Sequence, residues 1–276
     1  MASCTWSPAD IVSYYASYAA SYDIEIERDA HSYPSPFLLG SWIVDHLAAH
    51  HRQTNSSTPV LRVLDVGCGT GQSSRMFFTN ADADPGTTTL KPRVISSSCA
   101  DLASPPRVDE KGFAAPSPKD PITPAIVLEV HGIDATPAML DRARAALPFA
   151  SLTTGNIEAL PLPFDRASFH ALVCVGVFDF IRAPGLLLAE MRALSVGQGA
   201  ILGITMPERA DSVSSVADPA EKEESPLNAW TRGEMEAMIR NAGWWVERHE
   251  RVLGYRDSQT GIPTYYHVWL LVNSGI

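Results

Sequence analysis

The chain has 276 residues, of which 45% are hydrophobic and 19% charged, with a formal net charge of −10. That is the composition of a globular protein long enough to bury a sizeable core, and it excludes a disordered or low-complexity chain. Acidity of this size disfavours phosphate backbones and anionic lipid, and no cluster of Lys or Arg offsets it, so neither nucleic acid nor a membrane surface is expected as partner.

Four cysteines, Cys4, Cys68, Cys99 and Cys174, lie scattered without CxxC spacing, which points to a reducing compartment. The N-terminus has no basic stretch leading into an apolar core, and no apolar run reaches the roughly 20 residues that span a bilayer. A cytoplasmic protein is the expectation.

In chain order, Ser7-Pro8 opens a helix to about Tyr22, with tyrosines at helical spacing. A second helix is expected from Phe37 to about His51, and the two form an N-terminal helical cap over 1–56. PVLRVLDV is the first strand of the main domain, 57–276. Residues 80–124 are rich in Pro, Ser, Thr, Asp and Ala and read as a flexible, largely irregular insertion, with a lid as the alternative.

Beyond it, AIVLEVHGID (strand), ATPAMLDRARAAL (helix), SLTTGNI (strand), FHALVCVGV (strand), PGLLLAEMRAL (helix) and GAILGIT (strand) alternate. A polar segment then precedes a helix on TRGEMEAMIRNAG and two strands, WWVERHERV and TYYHVWLLV. The alternation implies an α/β fold with a parallel, doubly wound sheet and helices on both faces.

The turn after the first strand, VLDVGCGTGQSS, runs from Val63 to Ser74. Gly67, Gly69 and Gly71 allow positive φ and close approach of a ligand to the backbone, and a helix is expected to follow. The pattern is G-x-G-x-G, neither the dinucleotide G-x-G-x-x-G nor a P-loop with G-K-[ST]. Asp65, two residues ahead of Gly67, is expected to face the ligand, repel a pyrophosphate and attract a cationic amine. S-adenosylmethionine, an adenosine compound with positive charge and no phosphate, fits. Asp134 ends the next strand, where an acidic residue accepts ribose hydroxyls. The insertion accounts for its distance from Asp65 along the chain.

Together, VLDVGCGTGQSS, HGIDATPAMLDRARA and TGNIEALPLPFDRASFHALVCVGVFDFI resemble, in order, the class I S-adenosylmethionine-dependent methyltransferases. With YYASYAASYD at the N-terminus, the chain is most similar to the Williams–Beuren region and quinone-biosynthesis-type methyltransferases. The resemblance implies a Rossmann-like, seven-stranded sheet with the last strand antiparallel. It assigns Asp65, Gly67, Gly69 and Gly71 to the methionine end of the cofactor and Asp134 to the ribose. Ala135 and Met139 fall beside ribose and adenine, Asn156 and Ile157 beside adenine, and Val175, Gly176 and Val177 beside the transferred methyl. Asn156 stands where the family often has Asp, and Phe178-Asp179-Phe180 lacks the Glu-His pair often found after the fourth strand.

Tyr14, Tyr15, Tyr18 and Tyr22 either pack the first helix or roof the site, two compatible roles; Tyr22 is placed at the cofactor and the others with Phe178 and Tyr265 at the substrate. His267, Asp179 and His31 are the weak candidates for a base, with Tyr33 comparable and a core histidine the simpler reading of His267. Cys68 reads as a small residue in a crowded turn. His46 and His50 share a helix face without a third ligand, so no metal is expected. The expected function is methyl transfer to O, N or C of a small molecule. The alternatives are a non-methylating cyclisation or rearrangement and a non-catalytic cofactor-binding regulator; a dinucleotide oxidoreductase is the fallback.

Overall fold

In the computed structural model the described residues are 6–29, 35–54, 60–80, 90–95, 126–209, 227–256 and 263–275. Ser7 caps the first helix, α1 (Pro8–Tyr18), through a reciprocal capping box with Asp10, and Pro8 occupies the first turn, where no donor is needed. The helix expected to run to about Tyr22 ends at Tyr18, and after a turn the chain continues as a further helix, α2 (Tyr22–Asp29). A longer helix follows, α3 (Ser35–Thr54).

The strands are β1 (Val60–Val66), β2 (Phe78–Asn80), β3 (Leu90–Pro92), β4 (Val94–Ile95), β5 (Ile126–Asp134), β6 (Ser151–Thr154), β7 (Ala171–Cys174), β8 (Ile201–Pro207), β9 (Trp244–Arg256) and β10 (Pro263–Asn273). The helices α4 (Pro137–Ala146), α5 (Pro184–Leu194) and α6 (Arg232–Asn241) lie between them. A second capping box, Thr231 with Glu234, starts α6.

The main sheet runs β5, β1, β7, β8, β10, β9, with β4 and β6 sharing the outer edge of β5. β1 is parallel to both β5 and β7, and β7 to β8, while β10 is antiparallel to β8 and β9. The expected mostly parallel, doubly wound, Rossmann-like sheet with an antiparallel last strand is what forms. The two-residue strand β4 is an addition. With β2, β3 and β4, part of the region expected to be irregular is ordered: β2 and β3 pair antiparallel, and β4 adds to β5. Residues 81–89 and 96–125 lie outside the described residues.

Every residue of β7 and β8 is buried, as strands covered on both faces must be. Side chains alternate across the sheet. Leu64, Val66, Leu172, Cys174, Leu202 and Ile204 pack with Leu187 and Met191 of α5 and Met235 and Ile239 of α6. Val63, Val130, Ala171, Val173 and Leu270 face the other way, onto Leu39, Trp42, Ile43 and Leu47 of α3. α3 therefore belongs to the sheet's own core. The cap expected over 1–56 reduces, among the described residues, to α1 and α2. No residue of α1 is fully buried.

Candidate functional site

The chain leaves β1 for β5 and β6 on one side and returns to β7 and β8 on the other. The order reverses between β1 and β7, and in such sheets the crevice beyond the carboxyl ends of these strands takes the ligand. A cleft of about 770 Å³, its open mouth included, lies there. Gly67 and Gly69 after β1, Asp134, Ala135 and Met139 after β5, Asn156 and Ile157 after β6, and Val175, Gly176 and Val177 after β7 all line it. Tyr15 and Tyr22 line it from the cap.

The three glycines divide the work of the loop. All have positive φ: +73° at Gly67, +52° at Gly69 and +90° at Gly71. A Cβ on Gly67 would sit 2.4 Å from Val177 Cγ2, whereas one on Gly69 would meet nothing within 4 Å. The space over Gly69 opens into the cleft. Gly71 is not a cleft residue; it packs against Leu147 and Phe149, which a Cβ would strike, and it starts a six-residue 3-10 helix, Gln72–Phe77, where a longer helix was expected. Cys68 is buried and packs on Gly132.

Asp134 ties the crevice together. Its Oδ2 accepts the Gly69 N–H at 2.9 Å and its Oδ1 the Thr136 N–H at 2.8 Å. Burial raises its pKa, against the lowering effect of these backbone donors. The Thr136 hydroxyl and the Ala135 N–H also favour its charged form. Asn156 Oδ1 accepts the Glu158 N–H at 2.9 Å, closing the turn after β6.

Asp65 corrects the expectation. It is fully buried and outside the cleft lining. It has the parity of Val63, which faces α3, so its carboxylate points under the loop. There Oδ2 accepts the hydroxyls of Ser73 at 2.6 Å and Ser74 at 2.7 Å. Burial lifts its pKa to about 6, the serines oppose that, and Asp134 adds to it. Its Oδ1 is buried with no hydrogen-bond partner among the described residues. Asp65 therefore braces the loop, and its field reaches the crevice without contact.

Of the four tyrosines, Tyr15 and Tyr22 line the cleft. Tyr15 and Tyr22 lie with ring centroids 6.1 Å apart, and burial raises both hydroxyls' pKa values, aided by Coulomb repulsion that includes Asp134 and Asp179. Tyr14 and Tyr18 are not cleft residues: Tyr14 stands edge-on to Trp6 and Tyr15, and Tyr18 edge-on to Tyr22.

Of the remaining candidates, Phe178 is fully buried in the core, and its neighbour Phe180 takes the cleft position, edge-on to Tyr15 at 5.8 Å. Asp179 lies behind the lining, where its Oδ1 accepts the Tyr266 hydroxyl at 2.7 Å, and burial lifts its pKa to about 6. His267 is away from the cleft, its Nδ1 2.6 Å from His249 Nε2, with burial lowering its pKa. Tyr265 holds the Arg251 guanidinium 3.5 Å from its ring centroid, also away from the cleft. His31, Tyr33 and most of the polar segment from Glu208 to Pro226 lie outside the described residues. His46 and His50 stack, and His46 Nδ1 lies 2.9 Å from Glu247 Oε1.

Sequence reasoning missed Pro8, Ile11, Thr136, Glu158, Phe180 and Ile181, which also line the cleft. The hydrophobic positions of α1 and the alternation Phe178-Asp179-Phe180 were the signals. Which ring of that pair faces in depended on the 3-10 turn at Phe178–Phe180. Glu158 is held by Arg182, Oε1 accepting its backbone N–H at 2.8 Å and Oε2 lying 3.0 Å from Nη2.

These residues fit S-adenosylmethionine. A carboxylate faces the cleft, a second lies buried with an unpartnered oxygen, the turn at Gly69 is open, and aromatic rings form the roof. A cation in the cleft is attracted by Asp134 at the lining and by the field of Asp65 from behind it.

Residues 120–202 match the sequence profile of the methyltransferase domain. No curated protein matches the chain in sequence. Among solved structures, a putative methyltransferase from Haloferax volcanii, in complex with the Trm112 methyltransferase activator, is similar with a TM-score of 0.52 at 16% identity, over 94% of this chain and 97% of that one. Magnesium protoporphyrin IX methyltransferase from Synechocystis, with bound S-adenosylmethionine, gives 0.52 at 12% identity, over 97% of each chain. A phosphoethanolamine N-methyltransferase from Haemonchus contortus, in complex with S-adenosylhomocysteine, gives 0.54 at 13% identity, over 96% of this chain and 59% of that one. Among the described residues no helix is long and apolar enough to cross a membrane. Residues 120–202 thus match a methyltransferase domain, and the chain as a whole has the fold of the class I S-adenosylmethionine-dependent methyltransferases.

Proposed function

We propose that this protein is an S-adenosylmethionine-dependent methyltransferase acting on a small molecule. The carrying observation is the crossing of Asp134 onto the Gly69 N–H beneath open space in the turn, under a roof of Tyr15 and Tyr22. The cofactor supplies a methyl group activated on a sulfonium. Asp134 accepts the ribose hydroxyls, Met139, Asn156 and Ile157 flank the base, and Gly67, Gly69 and Gly176 leave room for the amino-acid end.

The chain's remaining task is geometry and exclusion of water, and positioning of this kind contributes roughly 7–11 kcal/mol to lowering a barrier. Ile11, Tyr15, Phe180 and Ile181 form an apolar wall suited to a neutral acceptor. The charged residues lining the cleft, among those described, are Asp134 and Glu158, both acidic, which disfavours an anionic acceptor. The roof carried by YYASYAASYD supports kinship with the Williams–Beuren region and quinone-biosynthesis-type methyltransferases. Cytoplasmic residence is part of the same proposal.

Incubation with methyl-labelled S-adenosylmethionine and a fractionated metabolite extract tests the reading. Label in a small molecule with equimolar S-adenosylhomocysteine supports it. Label in protein or nucleic acid alone removes the small-molecule acceptor. A rearranged compound without S-adenosylhomocysteine replaces methyl transfer by a cyclisation or isomerisation.

A further inference from the structure

The cap and the glycine loop are joined by one carboxylate. Asp23, in the first turn of α2, accepts the Thr70 hydroxyl at 2.6 Å and the Gln72 side-chain amide at 2.9 Å on the same oxygen, Oδ1. Its Oδ2 lies 3.8 Å from Arg75 Nη2. Thr70 sits between Gly69 and Gly71, and Gln72 begins the 3-10 turn, so both donors belong to the loop at the floor of the cleft. The residue beside Asp23 is Tyr22, which lines the cleft from above. Asp23 thus joins the glycine loop to the segment that carries Tyr22.

Among the described residues, the other ties of the cap are mainly ring contacts. α1 contributes no fully buried residue, and its rings meet Tyr22 and Phe180 at edge-on distances of 5–6 Å. Segments with few buried apolar contacts open locally at small free-energy cost, so hydrogen bonds to a charged acceptor weigh heavily in keeping such a segment closed.

We propose that Asp23 is the latch of the cap: a positioning residue that holds Tyr22 over the cleft through Thr70 and Gln72 and sets how long the cofactor stays bound. The proposal rests on the cofactor reading above. Opening the latch lifts the roof without altering Asp134 or the glycines, so it speeds release of the cofactor while leaving its entry unhindered.

The test is stopped-flow binding of S-adenosylhomocysteine to the full chain, with native-state hydrogen exchange on the ligand-free protein. Asp23→Ala is expected to raise the dissociation rate about tenfold or more, without slowing association. Asp23→Asn, whose side-chain oxygen still accepts from Thr70 and Gln72 but without the charge, is expected to raise the rate clearly less than Asp23→Ala does. Thr70→Val is expected to raise the rate in the original chain and to add little in the Asp23→Ala chain, as members of one network do.

A residue that only supported the fold would lower the melting temperature without dividing the two rate constants this way. An unchanged dissociation rate in Asp23→Ala, or equal damage from Asn and Ala, overturns the latch. Should the unaltered chain bind no S-adenosylhomocysteine, the cofactor reading fails and exchange decides the latch alone. Faster exchange in α1, α2 and residues 67–72 of Asp23→Ala, with α6 and β8 unchanged, supports it, and unchanged exchange refutes it. If Asp23→Ala does not fold, Thr70→Val carries both measurements.

Discussion

The Asp134 carboxylate and the Gly69 amide, 65 residues apart in the chain, are joined by a 2.9 Å hydrogen bond across the strand ends. This bond ties the end of β5 to the turn after β1, beside the cleft in which the proposed function gives Asp134 the ribose. Asp134→Asn keeps an acceptor for Gly69 but loses the charge. Calorimetry should show S-adenosylhomocysteine binding weakened about tenfold or more, the loss of one charge-assisted pair. An unaltered dissociation constant would take Asp134 out of the ribose role.

Gly67 and Gly69 are predicted to fail differently. Alanine at Gly67 adds overpacking against Val177 to an unfavourable φ, costing roughly 2–5 kcal/mol of stability in urea unfolding. Alanine at Gly69 pays only the left-handed penalty of roughly 1–2 kcal/mol. Its methyl enters the cleft, so affinity for the cofactor drops more than stability does. The reverse ranking would place the ligand elsewhere.

Asp179 gives a pH signature. Its pKa of about 6 lies above the unfolded value of 3.8 because burial disfavours its charge. Between those values the folded state holds a proton that the unfolded state has released. The contribution to stability is therefore fully present below pH 3.8 and lost as pH rises through about 6. Asp65 behaves in the same sense. Asp179→Asn should flatten the fall in unfolding free energy between about pH 4 and 6, measured by urea titrations at several pH values. An unchanged slope would mean the Asp179 carboxyl is not desolvated.

His267→Ala should leave the rate of S-adenosylhomocysteine release within about twofold while lowering stability by roughly 1–3 kcal/mol. His267 touches His249 and stacks on Trp269, and His249 is itself held at a pKa of about 4, first by its burial. A collapse of turnover with intact stability would return His267 to the list of bases.

Much of the site was legible because its signals are local. Glycine at a turn needing positive φ, an acidic residue at a strand end, and Ser-Pro at a helix start each carry their reason within a few residues. The alternation of strands and helices made the sheet readable, since β7 and β8 are short apolar runs bounded by turn residues. Asp65 was misread as cleft-facing although the parity of β1 was available. That strand is buried on both faces, and hydrophobic alternation does not say which face carries the ligand.

The sequence by itself determined the doubly wound sheet, the open turn at Gly69 and the acidic partner at Asp134, because periodicity and glycine chemistry act over one or two turns of chain. Only the tertiary structure decided that α3 belongs to the sheet while α1 and α2 roof the cleft, that Phe180 rather than Phe178 faces it, and that Asp23 reaches the glycine loop. Those outcomes depend on which surfaces meet across long stretches of intervening chain, 49 residues between Asp23 and Gln72 and 87 between Asp179 and Tyr266. Such encounters are set by the packing of the whole core and are written in no single stretch.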